Sequence, residues 1–279
     1  MANYTAADIK ALRERTGAGM LDVKKALDEA AGDMDKATEI LRVKGLKGVA
    51  KREGRSTSEG LVAARIVDAG EGQRGVLVEI NCETDFVAKS QKFIDLAEQV
   101  LESVVASGAT SAEDALAAET NGTPLQTTID EEAATLGEKI VLRRVAVVEG
   151  PVVTQYLHRT AKDLPPAIGV FVVTDASGAA VAKDVAQHVA ALAPEFLARE
   201  DVPADQVANE RRIAEETSRN EGKPEAALPK IIEGRLNGYF KNVVLLEQPL
   251  AKDPKKTVAQ TVSDVNGELK SFVRFRVGS

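Results

Sequence analysis

An acid beside an aromatic ring, Asp85-Phe86, is the pair of residues in this chain best suited to acting on another molecule. It lies in the run Ile80-Asn81-Cys82-Glu83-Thr84-Asp85-Phe86-Val87-Ala88, between an apolar strand pattern and an amphipathic helix pattern. Such strand-to-helix corners often carry function. A protruding ring can be driven between the elements of a partner, and a carboxylate next to it can hold those elements apart by polar contacts. That is prising, not bond chemistry. The same residues also fit a structural role, in which Thr84 caps a helical turn, Asp85 sits at that turn's positive end and Phe86 is core.

Other residues with reactive side chains make a weaker case. Cys82 is the one cysteine, so no internal disulfide can form, and its place at the end of an apolar strand predicts a buried, inert thiol. A thiol enzyme would lose its activity on Cys82→Ser, whereas a prising protein would hardly notice that change. His158 and His188 are the two histidines, far apart and outside any triad motif. The tight His/Cys/Asp/Glu spacing of metal sites and the P-loop are both missing from the sequence. The expectation is a binding protein rather than an enzyme, with no cofactor and no metal.

Composition narrows the partner. The 279 residues are 44% hydrophobic and 28% charged, which fits a folded protein of two or three units. Aromatics are 4%, so each Phe and Tyr counts for more than usual. The net charge of −7 argues against general binding to nucleic acid, which needs a basic surface. Lys44, Lys47, Lys51, Arg52 and Arg55 form a local exception, read as a solvated helix end with its cations at the negative pole. No apolar run reaches membrane-spanning length, the first residues lack an export pattern, and the lone cysteine suits a reducing cytosol. A cytoplasmic protein with no membrane contact is expected.

The corner needs elements to hold it. Residues 1–52 read as three short helices. Thr5 and Asp8 form an N-terminal capping pattern, Gly17 and Gly19 break the first helix, and the second ends at Gly32. Ile9 and Leu12 follow on the first helix, Val23, Ala26, Leu27 and Ala30 recur at helical spacing on the second, and Ala37, Ile40 and Leu41 face inward on the third. Residues 51–58, with charge, Gly and Ser, read as a linker. Then two similar passages follow. Strands at 61–67 and 75–82 lead into a helix at 90–105, and strands at 153–158 and 168–174 lead into a helix at 180–192. A strand at 140–148 lies between them and suits either. Residues 203–239 read as an antiparallel helical hairpin turning at Gly222 and Pro224, inserted into the second passage. A short helix at 258–265 and a strand at 271–277 complete the pattern. The fold class is therefore α+β. It has a three-helix module at 1–52, a first core half at 58–148 and a second half at 149–279 carrying the hairpin.

Several separated motifs resemble the bacterial elongation factor Ts family. Leu12-Arg13-Glu14-Arg15-Thr16-Gly17-Ala18-Gly19-Met20-Leu21-Asp22-Val23-Lys24-Lys25-Ala26-Leu27 is similar to that family's opening signature, and residues 80–87 to its second. Gly137-Glu138-Lys139-Ile140, Arg143-Arg144, Tyr156-Leu157-His158, His188-Val189-Ala190, Glu233-Gly234-Arg235 and Phe272-Val273-Arg274-Phe275 follow in order. The likeness spans essentially the whole chain.

The resemblance implies a guanine-nucleotide exchange factor for elongation factor Tu, with a ubiquitin-associated-like module that grips the partner's GTPase domain. It implies partner contacts for Arg13, Met20 and Leu21, and a magnesium-dislodging element at Thr84, Asp85, Phe86 and Val87. His158 matches an interface histidine, and His188 is read as structural. Some relatives carry a further C-terminal helix, and the sequence ending at Gly278-Ser279 leads us to expect no such contact here. Self-association through the hairpin is left open. A competing reading rests on the three-helix module alone: an adaptor for helical peptides or ubiquitin-like proteins, whose module binds by itself while the core is passive.

Overall fold

The computed structural model describes residues 3–120 and 122–279. It opens with α1 (Ala6–Thr16), α2 (Met20–Glu29) and α3 (Met34–Lys51). Thr5 and Asp8 form the expected reciprocal cap, with Asp8 N–H donating to Thr5 Oγ1 at 3.3 Å and Thr5 N–H to Asp8 Oδ2 at 2.7 Å. Leu12, Val23, Ala26, Leu27, Ala37 and Leu41 close the small core as the spacing predicts. The third helix is not short. It runs 18 residues through Lys51. The basic stretch therefore rides on this helix and the turn after it, and much of it is paired rather than merely solvated. Lys44 Nζ lies 2.5 Å from Asp22, and Arg55 Nη1 lies 3.1 Å from Glu83. The side chain of Lys47 lies outside the described residues.

The core begins with the hairpin β1 (Glu59–Ala69) and β2 (Gly72–Cys82). The one-turn helix α4 (Asp85–Ala88) and the long α5 (Gln91–Ser107) follow. Next come α6 (Ala112–Ala117), β3 (Glu119–Thr120), β4 (Thr123–Pro124), α7 (Leu125–Leu136) and β5 (Val141–Gly150). The strand that suited either half pairs antiparallel with β2, so the first sheet has the order β1-β2-β5.

The second sheet is built from β6 (Val152–His158), β7 (Ile168–Thr174) and, much later, β10 (Leu269–Arg276), in the order β10-β7-β6. Between β7 and β10 lie α8 (Ala179–Leu192), the hairpin helices α9 (Ala204–Asn220) and α10 (Leu228–Val243), β8 (Pro249–Leu250), β9 (Asp253–Thr257) and α11 (Val258–Ser263). Within the hairpin, Ala214 packs with Leu228, Ile232 and Leu236 of α10 and Ser218 is buried, while Ile213 turns outward and is 40% exposed.

Strand alternation assigns each sheet two packed faces. Val76, Val78 and Ile80 of β2 point to α5, whereas Leu77 points to the other sheet. In β7, Val170 and Val172 point to α8, and Phe171 and Val173 to the first sheet. The core is therefore helix, sheet, sheet, helix, with the rings of Phe171 and Phe275 between the sheets. No helix among the described residues is long and apolar enough to cross a membrane.

Candidate functional site

The acid-aromatic corner is where β2 leaves the sheet. Cys82 ends the strand with its side chain in the core, and its thiol donates to Thr84 O at 3.3 Å. Burial pushes that thiol up to about 12, and the nearby carboxylates of Glu138 and Glu59 push the same way. Such a group carries essentially no thiolate at neutral pH, so nucleophilic use of Cys82 is unsupported.

Thr84 then caps α4. Its backbone is extended and its hydroxyl accepts from Val87 N–H at 3.4 Å. One helical turn distributes the next residues by direction. Ala88 is buried, Val87 is half-buried against the core, and Phe86 points out with 74% of its surface exposed. The structural alternative that made Phe86 a core residue is overturned. A ring this exposed gains little from the fold and is free to be buried elsewhere.

The ring is steadied from one side. Lys89 Nζ lies 4.7 Å from its centroid, 3.3 Å from Asp85 Oδ2 and 3.9 Å from Asp163 Oδ2. Asp163 belongs to the loop after β6, and β6 ends at His158. The connection between His158 and the corner runs through that loop. His158 itself is exposed, with Nδ1 3.1 Å from the Tyr156 hydroxyl.

Behind the ring the backbone is clamped. The Glu138 carboxylate accepts from Glu83 N–H at 3.0 Å, from Thr84 N–H at 3.0 Å and from the Thr84 hydroxyl at 2.6 Å. Glu83 in turn accepts from Lys139 N–H at 2.7 Å and pairs with Arg55. Burial works against the Glu83 charge, but the Lys139 hydrogen bond and the Arg55 guanidinium outweigh it and hold the carboxyl below its ordinary range. Glu138, Lys139 and Lys89 carry roles that sequence reasoning did not assign. Glu138 stood in one of the quoted motifs, but nothing local joins it to Thr84, 54 residues earlier.

The residues expected in the small module are also at the surface. Met20 is 61% exposed, Leu21 is 65% exposed, and Arg13 is exposed on α1. Large apolar side chains at the first turn of a short helix, left open to solvent, suit contact with a partner. Among the described residues, no group of three or more His, Cys, Asp or Glu is placed to hold a metal ion.

His188 is structural, as expected. It is buried on α8, 2.8 Å from Gln248 Oε1 through Nε2, while its Nδ1 accepts from Ala251 N–H at 3.0 Å. That acceptor requires the neutral ring. Burial pushes its pKa below the ordinary 6.5, against a smaller opposing effect of Gln248. Protons therefore bind the unfolded chain first as pH falls below that value, and stability declines until the folded pKa is passed. His188→Gln should lower stability by about 1–3 kcal/mol at pH 7.5 and flatten the further loss toward pH 5. Urea midpoints of both proteins across that range check this; an unchanged acid slope in the variant would assign the loss to other groups.

Comparison with known proteins gives one consistent answer. The sequence model described as Elongation factor TS matches residues 83–279. The chain is 64% identical to the Elongation factor Ts of Beutenbergia cavernae over 281 aligned positions, covering all of both chains. It is 60% identical to that of Micrococcus luteus and 58% identical to that of Kineococcus radiotolerans, again over the full length of each. With its corner, exposed ring and full-length likeness, the chain belongs to the elongation factor Ts family of translation elongation factors.

Proposed function

We propose that the protein binds elongation factor Tu in its GDP form and speeds GDP release by disturbing the partner's magnesium and phosphate site. The observation that carries this reading is the exposure of Phe86, 74%, on a corner whose backbone is held by Glu138. Magnesium needs near-ideal octahedral oxygen coordination at about 2.0–2.1 Å, so small displacements of its ligands weaken it sharply. Phe86, entering between elements of the partner, displaces them. Asp85 stabilises the displaced arrangement by polar contacts, and Thr84 and Val87 fix the turn that carries both. Arg13, Met20 and Leu21 supply a second hold on the GTPase domain, and His158 a third contact beside the corner. No covalent bond is made or broken. The protein acts in the cytoplasm on a protein partner, without a cofactor of its own.

Linkage completes the cycle. A factor that weakens nucleotide binding is itself weakened equally by nucleotide. Incoming GTP therefore expels the factor, and a small amount of it serves many partners.

The test is stopped-flow release of a fluorescent GDP from elongation factor Tu. Substoichiometric factor should raise the release rate by orders of magnitude at millimolar magnesium, and by much less once magnesium is chelated. Equal acceleration at every magnesium concentration would reject the magnesium step while leaving exchange intact. Binding by the isolated helical module with no acceleration by the full chain would favour the adaptor reading instead.

A further inference from the structure

The two exposed apolar sites, Met20-Leu21 and Phe86, lie on separate units joined by what reads as a linker. The structure ties these units together at several independent points. On α3, Gly45 sits so close to α7 that an added Cβ would lie 2.7 Å from Ala134 Cβ. The turn before Met20 is pressed onto the core in the same way. Gly17, at φ +67°, would place a Cβ 2.5 Å from Thr135 Cγ2 on α7 and 3.4 Å from Lys92 Nζ. Lys92 is in the first turn of α5, directly after the corner. Arg42 on α3 pairs with Glu131 on α7.

The segment between the units is fastened as well. Arg52 donates to Ala133 O at 3.4 Å, and Lys139 Nζ donates to the carbonyls of Glu53 and Arg55. Arg55 pairs with Glu83 at the corner itself. Residues 52–55 therefore act as a strap, bonded to α7 through Ala133, to the α7–β5 turn through Lys139 and to the corner through Glu83.

We propose that Gly45 is a positioning residue: its lack of a side chain lets α3 seat on α7, so that Met20-Leu21 and Phe86 reach the partner as one prebuilt, two-point surface. This rests on the exchange reading above. A factor with a freely tethered module would have to order the second contact after making the first, and that ordering weakens binding. A seated module has already lost that freedom.

Gly45→Ala tests the proposal because the two views oppose each other. Alanine is the better helix former, so in a free module the change is silent or helpful. In a seated module it drives α3 away from Ala134. We expect Gly45→Ala to slow GDP release at subsaturating factor by about fivefold, the scale of ordering a few interface groups. Adding Ala134→Gly should restore the room and return the rate to within about twofold of wild type. A pair of spin labels at Lys36→Cys and Gln126→Cys, with the buried Cys82 left unlabelled, reports seating directly. Its distance distribution should be narrow in wild type, broad in Gly45→Ala and narrow again in the double variant. Wild-type exchange by Gly45→Ala overturns the proposal, whether or not the distribution broadens. So does a slow Gly45→Ala that Ala134→Gly fails to rescue. A wild-type chain that leaves GDP release unchanged overturns the exchange reading itself, and the labels still report whether the module is seated.

Discussion

Phe86→Ala is expected to slow GDP release from elongation factor Tu by more than about tenfold while leaving the factor as stable as wild type. Both halves of this expectation come from the same geometry. With 74% of its surface in solvent, Phe86 contributes little to folding, and its removal should shift stability by no more than about 1 kcal/mol. Had the ring been core, the same change would have lowered stability by about 3–5 kcal/mol. The contact with Lys89, at 4.7 Å from the ring centroid, is worth about 0.5–1 kcal/mol at an exposed site and does not alter that conclusion. All the large effects must then appear in the complex, where a buried aromatic anchor commonly supplies more than about 2 kcal/mol. Asp85→Asn should give a smaller defect, since shape is kept and only charge is lost. Denaturant melts paired with stopped-flow GDP release at varied magnesium decide the matter. The Phe86→Ala defect should shrink as magnesium is chelated, because less is then left to displace. A stable variant with wild-type exchange at every magnesium concentration would sink the proposal.

The sequence made most of the architecture legible for identifiable reasons. The strands of the two sheets are rich in Val and Ile and are covered on both faces, so they read as short apolar runs between turn signals. The helical hairpin is marked by Gly222 and Pro224 between two amphipathic stretches. The segment at 112–136 escaped because its helices are built from Ala, Thr and acids. Leu125, Ile129 and Ala133 do repeat every fourth residue on α7, but two large side chains and an alanine among Thr and acids make a faint stripe.

The corner itself was found from types alone, since an aromatic beside an acid is conspicuous anywhere. Its supports were not. Glu138 meets Thr84 across 54 residues, and Asp163 reaches Lys89 only because the two sheets pack face to face. Gly45 was silent for a different reason. A glycine inside a helix pattern reads as a weakness, and only the neighbouring helix shows it to be a place of close approach.

Glu138→Ala should reveal how much of the exchange activity depends on holding the corner rather than on the ring alone. Its carboxylate satisfies two backbone N–H groups and one hydroxyl in a half-buried site. Each such donor left without a partner costs about 1–3 kcal/mol, less where water can enter. A combined loss of about 2–4 kcal/mol of stability follows, since water reaches part of the site. The freed Thr84 also becomes a poorer cap, because its hydroxyl no longer has a fixed direction from which to accept Val87 N–H. The turn carrying Phe86 then samples several orientations, of which few suit the partner. We expect about a tenfold loss of exchange at a temperature where the variant is still fully folded, on the reasoning that small misplacements of an acting group are amplified in rate. Glu138→Gln separates the hydrogen bonds from the charge. Its carbonyl oxygen can face the two N–H groups while its amide donates to the Thr84 hydroxyl, so it should keep most of the stability and most of the rate. Melts and GDP release on the three proteins give the answer. If Glu138→Ala loses stability but exchanges at the wild-type rate when folded, the clamp serves the fold alone, and partner contacts must orient Phe86 after docking.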